Sequence, residues 1–235
     1  MFIAAALVPS TPLLVPELNG ADATDTEPLR AAASAAAAQL GPRWTAIGVG
    51  AVNEEIRPDA AGTFAGFGVD VRVRLSAEAD KPVDATLPLP ALIAAWLRET
   101  SAPTASVSVQ VLAPDLPPQR CADLGAALRR RLDADPRPHG LLVVADGAAT
   151  LTDKAPRAFH PGAPAYQQRI NQALAQGDCA AVADLDPAEC TKYGVSGRAA
   201  WQFLAGVFGG SKPQTEVLYS AAPFGVGYHV GVWRP

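Results

Sequence analysis

A chain of 235 residues can enclose one substantial core, and 49% hydrophobic against 18% charged residues describes a globular protein. Its net charge is −4 and its longest basic run is Arg129-Arg130-Arg131, which argues against a surface that tracks nucleic-acid phosphates. No stretch approaches the roughly 18 apolar residues of a membrane-crossing helix, and the three cysteines contain no CxxC pair, which excludes a zinc knuckle and fits a reducing cytoplasm.

Phe2 to Val8 is an apolar run with no basic segment before it and prolines directly after it, so it reads as a buried first strand and not as a signal peptide. Pro9, Pro12 and Pro16 keep the next segment extended and stiff. Thr24 or Asp25 is placed to cap an alanine-rich helix running to about Leu40, where Gly41-Pro42 stops it. Trp44 to Val52 reads as a second buried strand, and residues 53–68 as a loop. Val69, Val71 and Val73 alternate with Asp70, Arg72 and Arg74, the period of a strand with one wet face.

A helix is expected from Leu87 to Glu99, then an alternating strand over 105–112, then a helix opened by Pro117-Pro118 and running to about Leu132. Its terminal arginines suit the negative end of the helix dipole. Gly140 to Ala145 is continuously apolar, as a strand covered on both faces is. A Gly/Pro-rich loop spans 147–164. Helices follow near 164–176, 178–184 and 196–208, and two strands near 215–222 and 226–233 flank Pro223-Phe224-Gly225. Strands alternating with helices, without repeat or linker, predict one α/β domain over 1–235 with a mixed sheet.

Familiar catalytic motifs fail on spacing. Gly194-Val195-Ser196-Gly197 is not GxSxG and no strand leads into it. Gly209-Gly210-Ser211-Lys212 follows a helix and lacks the spacing of a phosphate loop, so it reads as a helix cap and turn.

Four segments in order do resemble one family. They are Pro9-Ser10-Thr11-Pro12-Leu13-Leu14-Val15-Pro16-Glu17, Leu141 to Ala149, Gly197 to Gly206, and Ala222-Pro223-Phe224-Gly225-Val226-Gly227-Tyr228. They are similar to the class III extradiol ring-cleavage dioxygenases, the subunit-B-like group, whose fold is shared with the Memo family. The resemblance implies a three-layer α/β/α sandwich with a mixed, mostly parallel central sheet. It also implies ferrous iron on two histidines and a glutamate, with a further histidine as acid/base.

The chain departs from that pattern where the chemistry lies. Ser10 holds the place of the first histidine ligand. The second falls around Ala51, Val52 and Asn53, where there is no histidine, and the acid/base position is Ala149. The glutamate is matched by Glu189 or, if the match is anchored on Gly197-Arg198, by Lys192. Serine or alanine cannot replace an imidazole on iron, so no cofactor is expected.

The reading that follows is a diverged, non-catalytic homologue that binds a small molecule or a protein partner in the ancestral cleft. The alternative is an active Fe(II) extradiol-type dioxygenase with a shifted ligand set, His160 and Glu189. A third is metal-free chemistry, such as hydrolysis, in the same cleft. Ser10, Thr11, Asn53, Asp146, Ala149 and Glu189 mark the ancestral site and are expected to meet in one cleft, with Glu54, Glu55, His160, Lys192 and Arg198 as further pocket residues. His139 is expected at the surface, at the wrong end of the sheet for a ligand, and His229 as a hydrogen-bonded structural histidine. The sequence leaves the oligomeric state open.

Overall fold

The computed structural model describes residues 1–20 and 24–235. In chain order the first half contains β1 (Phe2–Val8), α1 (Glu27–Ala37), β2 (Arg43–Val49), β3 (Glu54–Ile56), β4 (Ala61–Thr63), β5 (Arg72–Arg74), β6 (Val83–Asp84), α2 (Leu89–Ser101) and β7 (Ser106–Leu112). The second contains α3 (Pro118–Asp133), β8 (His139–Val144), α4 (Ala163–Gln176), α5 (Cys179–Ala183), α6 (Pro187–Tyr193), α7 (Arg198–Phe208), β9 (Gln214–Ala221) and β10 (Tyr228–Arg234).

Seven strands form the main sheet, in the order β3-β7-β2-β8-β1-β10-β9. β7, β2, β8 and β1 are parallel to one another, whereas β3 and β10 run against their neighbours. Helices cover both faces, which gives the α/β/α sandwich. β8 shows why the run from Gly140 to Val144 is apolar. Leu142 and Val144 enter the core under α1 and α2, with Leu29, Trp44 and Ile93. Leu141 and Val143 enter the opposite core, with Leu128, Trp201 and Phe203 of α3 and α7. A central strand buried on both faces favours apolar residues at every position.

α3 and α7 cross at backbone contact. A Cβ on Gly125 would lie 2.0 Å from the Phe203 carbonyl oxygen, and one on Gly206 would lie 2.1 Å from the Ala122 oxygen. Each helix therefore needs glycine where the other passes. β5, β4 and β6 form a second, three-stranded sheet beside α2. The buried Arg98 of α2 fastens it by donating to the Arg74 carbonyl at 3.0 Å.

Three segments differ from the sequence reading. The first helix begins at Glu27 and ends in a 3-10 turn, Ala38–Leu40, before Gly41 at φ 71°. The second strand ends at Val49, and the stretch read as a loop contains β3, which pairs with β7, and β4. Of the alternating 69–75 segment only Arg72–Arg74 is a strand, and it belongs to the smaller sheet.

Candidate functional site

Because β1, β2, β7 and β8 are parallel, their carboxyl ends open onto one edge of the sheet, the edge where ligands collect in α/β folds. There the loops after β1 and β8 meet. The Ser10 N–H donates to Asp146 Oδ1 at 2.8 Å. The Asp146 carbonyl accepts from the Gly197 N–H at 2.9 Å, the Gly147 N–H donates to the Gly227 carbonyl at 2.8 Å, and the Gly227 N–H donates to the Ala148 carbonyl at 2.9 Å. These bonds join all four segments that carry the family resemblance.

The glycines allow this close approach. A Cβ on Gly197 would sit 2.7 Å from the Asp146 carbonyl oxygen, and one on Gly227 would sit 2.3 Å from the Gln167 amide carbon. The Gln167 carbonyl oxygen in turn accepts from the Ala148 N–H at 2.7 Å.

Asp146 keeps a small patch of solvent contact although protein atoms crowd it closely. That crowding raises its carboxyl from 3.8 to about 7, against the opposing effect of the Ser10 N–H. No lysine, arginine or histidine of the described residues forms an ion pair with it. The buried Tyr228 donates its hydroxyl to Thr11 Oγ1 at 3.5 Å. Burial first, offset in part by Thr11 and assisted by the nearby Asp146, pushes that phenol up to about 12. Ser10, Thr11, Asp146 and Tyr228 therefore form one polar cluster at the strand ends.

Ala149 lies one turn further on. Its N–H donates to the Tyr193 carbonyl at 3.2 Å and its methyl packs against the α1–α2 core. His160 is tied down locally: Nδ1 accepts from the Gly162 N–H at 3.1 Å, and the ring meets Tyr193 edge-on at 4.9 Å. Glu189 and Lys192 stand on the outer surface of α6 as an ion pair at 3.3 Å. Among the described residues no three His, Cys, Asp or Glu side chains gather as a metal-holding group. Ser10, Thr11, Asp146 and Tyr228 offer no imidazole, so this cluster does not fit the two-histidine, one-glutamate iron set that the resemblance implies, nor do His160 and Glu189 complete a replacement.

The expected single cleft is not formed. Asn53 accepts the Ala113 N–H at 2.9 Å beside the end of β7. β2 and β8 lie between β7 and β1, so Asn53 stands about 14 Å from the Ser10 turn at roughly 4.8 Å per strand. With Glu54, Glu55, Leu116 and Arg120 it lines a separate groove of about 350 Å³. Arg198 is not a pocket contact either. It is buried, and its guanidinium donates to Gln202 Oε1 at 2.7 Å and to the carbonyls of Pro114 at 2.5 Å and Leu116 at 3.0 Å, clamping the β7–α3 turn onto α7.

His139 lies at the expected end of the sheet but is more buried than expected, and His229 lacks the expected hydrogen bonds. His139 opens β8 at the amino end of the parallel strands, where it is half-buried with Nε2 2.9 Å from Thr45 Oγ1. Burial lowers its imidazole to about 4. His229 is buried on β10, and neither ring nitrogen has a partner; burial lowers it to about 4 as well. Sequence reasoning missed Gln167 and Tyr228. Gln167 had a signal: it lies on the apolar face of α4 beside Tyr166 and Ile170, where an amide must find a partner.

No family model matches this chain, and no curated protein matches it. Among solved structures it is similar to an uncharacterized protein from Escherichia coli K12, with a TM-score of 0.53 and 10% identity, over 99% of this chain and 100% of that one. A likeness at that identity is one of fold.

Proposed function

We propose that this chain is a diverged relative of the subunit-B-like extradiol dioxygenases that binds a small molecule at the carboxyl ends of β1 and β8 and has no iron oxygenase activity. The observation that carries this reading is the bond from the Ser10 N–H to Asp146. It holds the ancestral turn in place while the turn itself offers a hydroxyl where the family has an imidazole. The frame is retained, and the ligands are not.

In this reading Asp146 sets the selectivity of the polar cluster at the strand ends. One carboxyl oxygen is bound by Ser10, and the other has no hydrogen-bond partner among the described residues. The free oxygen of this crowded carboxyl can donate a hydrogen bond to a ligand while protonated, and once ionised can accept one or face a cation. Thr11 and Tyr228 add hydroxyls beside it.

The test is anaerobic loading with ferrous iron, removal of free metal, metal analysis and exposure to catechols in air. The expected result is no stoichiometric iron and no ring-opened product. Stoichiometric iron with a ring-opened catechol would overturn the reading in favour of an oxygenase.

A further inference from the structure

The two edges of the main sheet are finished differently. β3 closes one edge with three residues, two of them the exposed Glu54 and Glu55. Short strands and charges are how natural sheets prevent further pairing. β9 closes the other edge with eight residues, Gln-Thr-Glu-Val-Leu-Tyr-Ser-Ala, and contains no proline or lysine. Val217 is 45% exposed, and Leu218 and Tyr219 are only half-buried. Its one irregularity is a bulge at Leu218 in the pairing with β10. Among the described residues no strand pairs with its outer side.

The flank of that edge is poor in charge. α1 packs over β10 and β9. From Ala31 to Leu40 this helix and its terminal turn contain no charged residue, and Ala31, Ala35 and Ala38 are exposed. Surface helices ordinarily turn lysine and glutamate outward. On the opposite face α4 is fastened to the strand by Thr215, whose hydroxyl donates to the Ala175 carbonyl at 2.7 Å.

We infer that β9 is the site at which a second copy of this chain pairs, antiparallel and about a twofold axis, joining the two main sheets into one. Charge selects this occupant. The only charged residue from Gln214 to Ala221 is Glu216, and Arg234 of the same copy neutralises it at 2.9 Å. In antiparallel self-pairing Glu216 meets its equivalent only when the axis passes through it; every other register sets it against a neutral residue. With Glu216 and Arg234 paired to each other, an acidic or basic partner finds no unpaired counter-charge on Gln214–Ala221, whereas an identical surface meets no net repulsion. The size also suffices. Eight residues span about 27 Å, and a helix of about 10 Å diameter on each face widens the strip to roughly 25 Å, so full contact would bury at most about 1,400 Å² in total, within the range of stable interfaces.

Sedimentation velocity of the intact chain over a wide concentration range, with amide exchange read at both ends of it, tests the inference. A dimer is expected, with amides of Gln214–Ala221 exchanging more slowly as concentration rises. Val217→Glu adds a second carboxylate to an exposed position and is expected to leave a monomer with the wild-type circular dichroism spectrum. Should that variant fail to fold, the concentration dependence of exchange in the unaltered chain decides. A monomer at all concentrations, a dimer whose β9 amides do not respond, or a dimer that Val217→Glu leaves intact would overturn it.

Discussion

The Ser10 N–H donates to Asp146 Oδ1, so one hydrogen bond of 2.8 Å joins residues 136 positions apart in sequence and fixes the turn after β1 against the turn after β8. Both turns also contact the last hairpin, through Thr11 with Tyr228 and Gly147 with Gly227. The carboxyl edge of the sheet is thus a fastened assembly and not a set of independent loops.

Asp146 makes stability fall as pH rises. Its carboxyl titrates at about 7 in the fold and near 3.8 in the unfolded chain. Between those values the native state holds a proton that the unfolded state releases, so unfolding is favoured progressively up to about pH 7 and the loss is constant above it. Asp146→Asn keeps an oxygen for the Ser10 N–H and removes the titration. Melting temperatures across pH should show the variant gaining on the wild type from about pH 4 to 7; parallel curves would place the carboxyl elsewhere on the pH scale.

His229 acts in the opposite direction. Its imidazole falls from 6.5 to about 4, so the unfolded state takes up a proton first and stability is lost as pH drops through that window. Both ring nitrogens are buried without partners. His229→Leu should raise stability by about 1 kcal/mol near neutrality, because it removes unsatisfied polar atoms. The gain should grow on acidification. Urea midpoints at several pH values measure it.

Arg198 should tolerate no replacement. Lysine cannot present the planar fork that reaches Pro114, Leu116 and Gln202 together. Arg198→Lys should cost about 2 kcal/mol or more, since buried carbonyls lose charge-assisted donors. A lowered urea midpoint at unchanged denaturant slope is the expected observation.

Gly206→Ala should cost about 3 kcal/mol, because its methyl would meet the Ala122 carbonyl and force α3 and α7 apart. The same change at Gly210, a solvent-facing turn with nothing within 4 Å, is the control. Its cost should be smaller and come from its positive φ of 88° alone. Thermal melts of the two variants separate crowding from backbone conformation.

The long strands were legible because their patterns are physical consequences of burial. After His139, β8 is apolar and covered on both faces; β7 alternates, with Val107, Val109 and Val111 inward and Ser106, Ser108 and Gln110 partly wet. β3 and β4 are three residues each, too short to show a period, and their tertiary hydrogen bonds define them. α6 was legible and was overlooked. Asp186 caps it at the Glu189 N–H, Pro187 opens it, and Gly194 closes it at φ 69°.

At the site, Ser10 and Asp146 meet as part of a wider expectation of one cleft, outside which Asn53 and Glu189 lie. The separation of Asn53 was not legible, because it depends on which strands lie between β7 and β1. Arg198 carried an unused signal: a guanidinium at the head of a helix apolar on nearly every side has to be enclosed and bonded.

The strand order has a consequence for how the chain reaches this state. β1 is made first, yet its neighbours are β8 and β10, and β8 also lies between β1 and β2. Until residues past His139 have left the ribosome, Phe2–Val8 has no native partner on either side. The sheet therefore closes late, through contacts distant in sequence, and such topologies fold slowly. The nascent chain carries an unpaired apolar strand from Val8 until His139 and the residues after it emerge, a species prone to aggregation until β8 inserts beside β1.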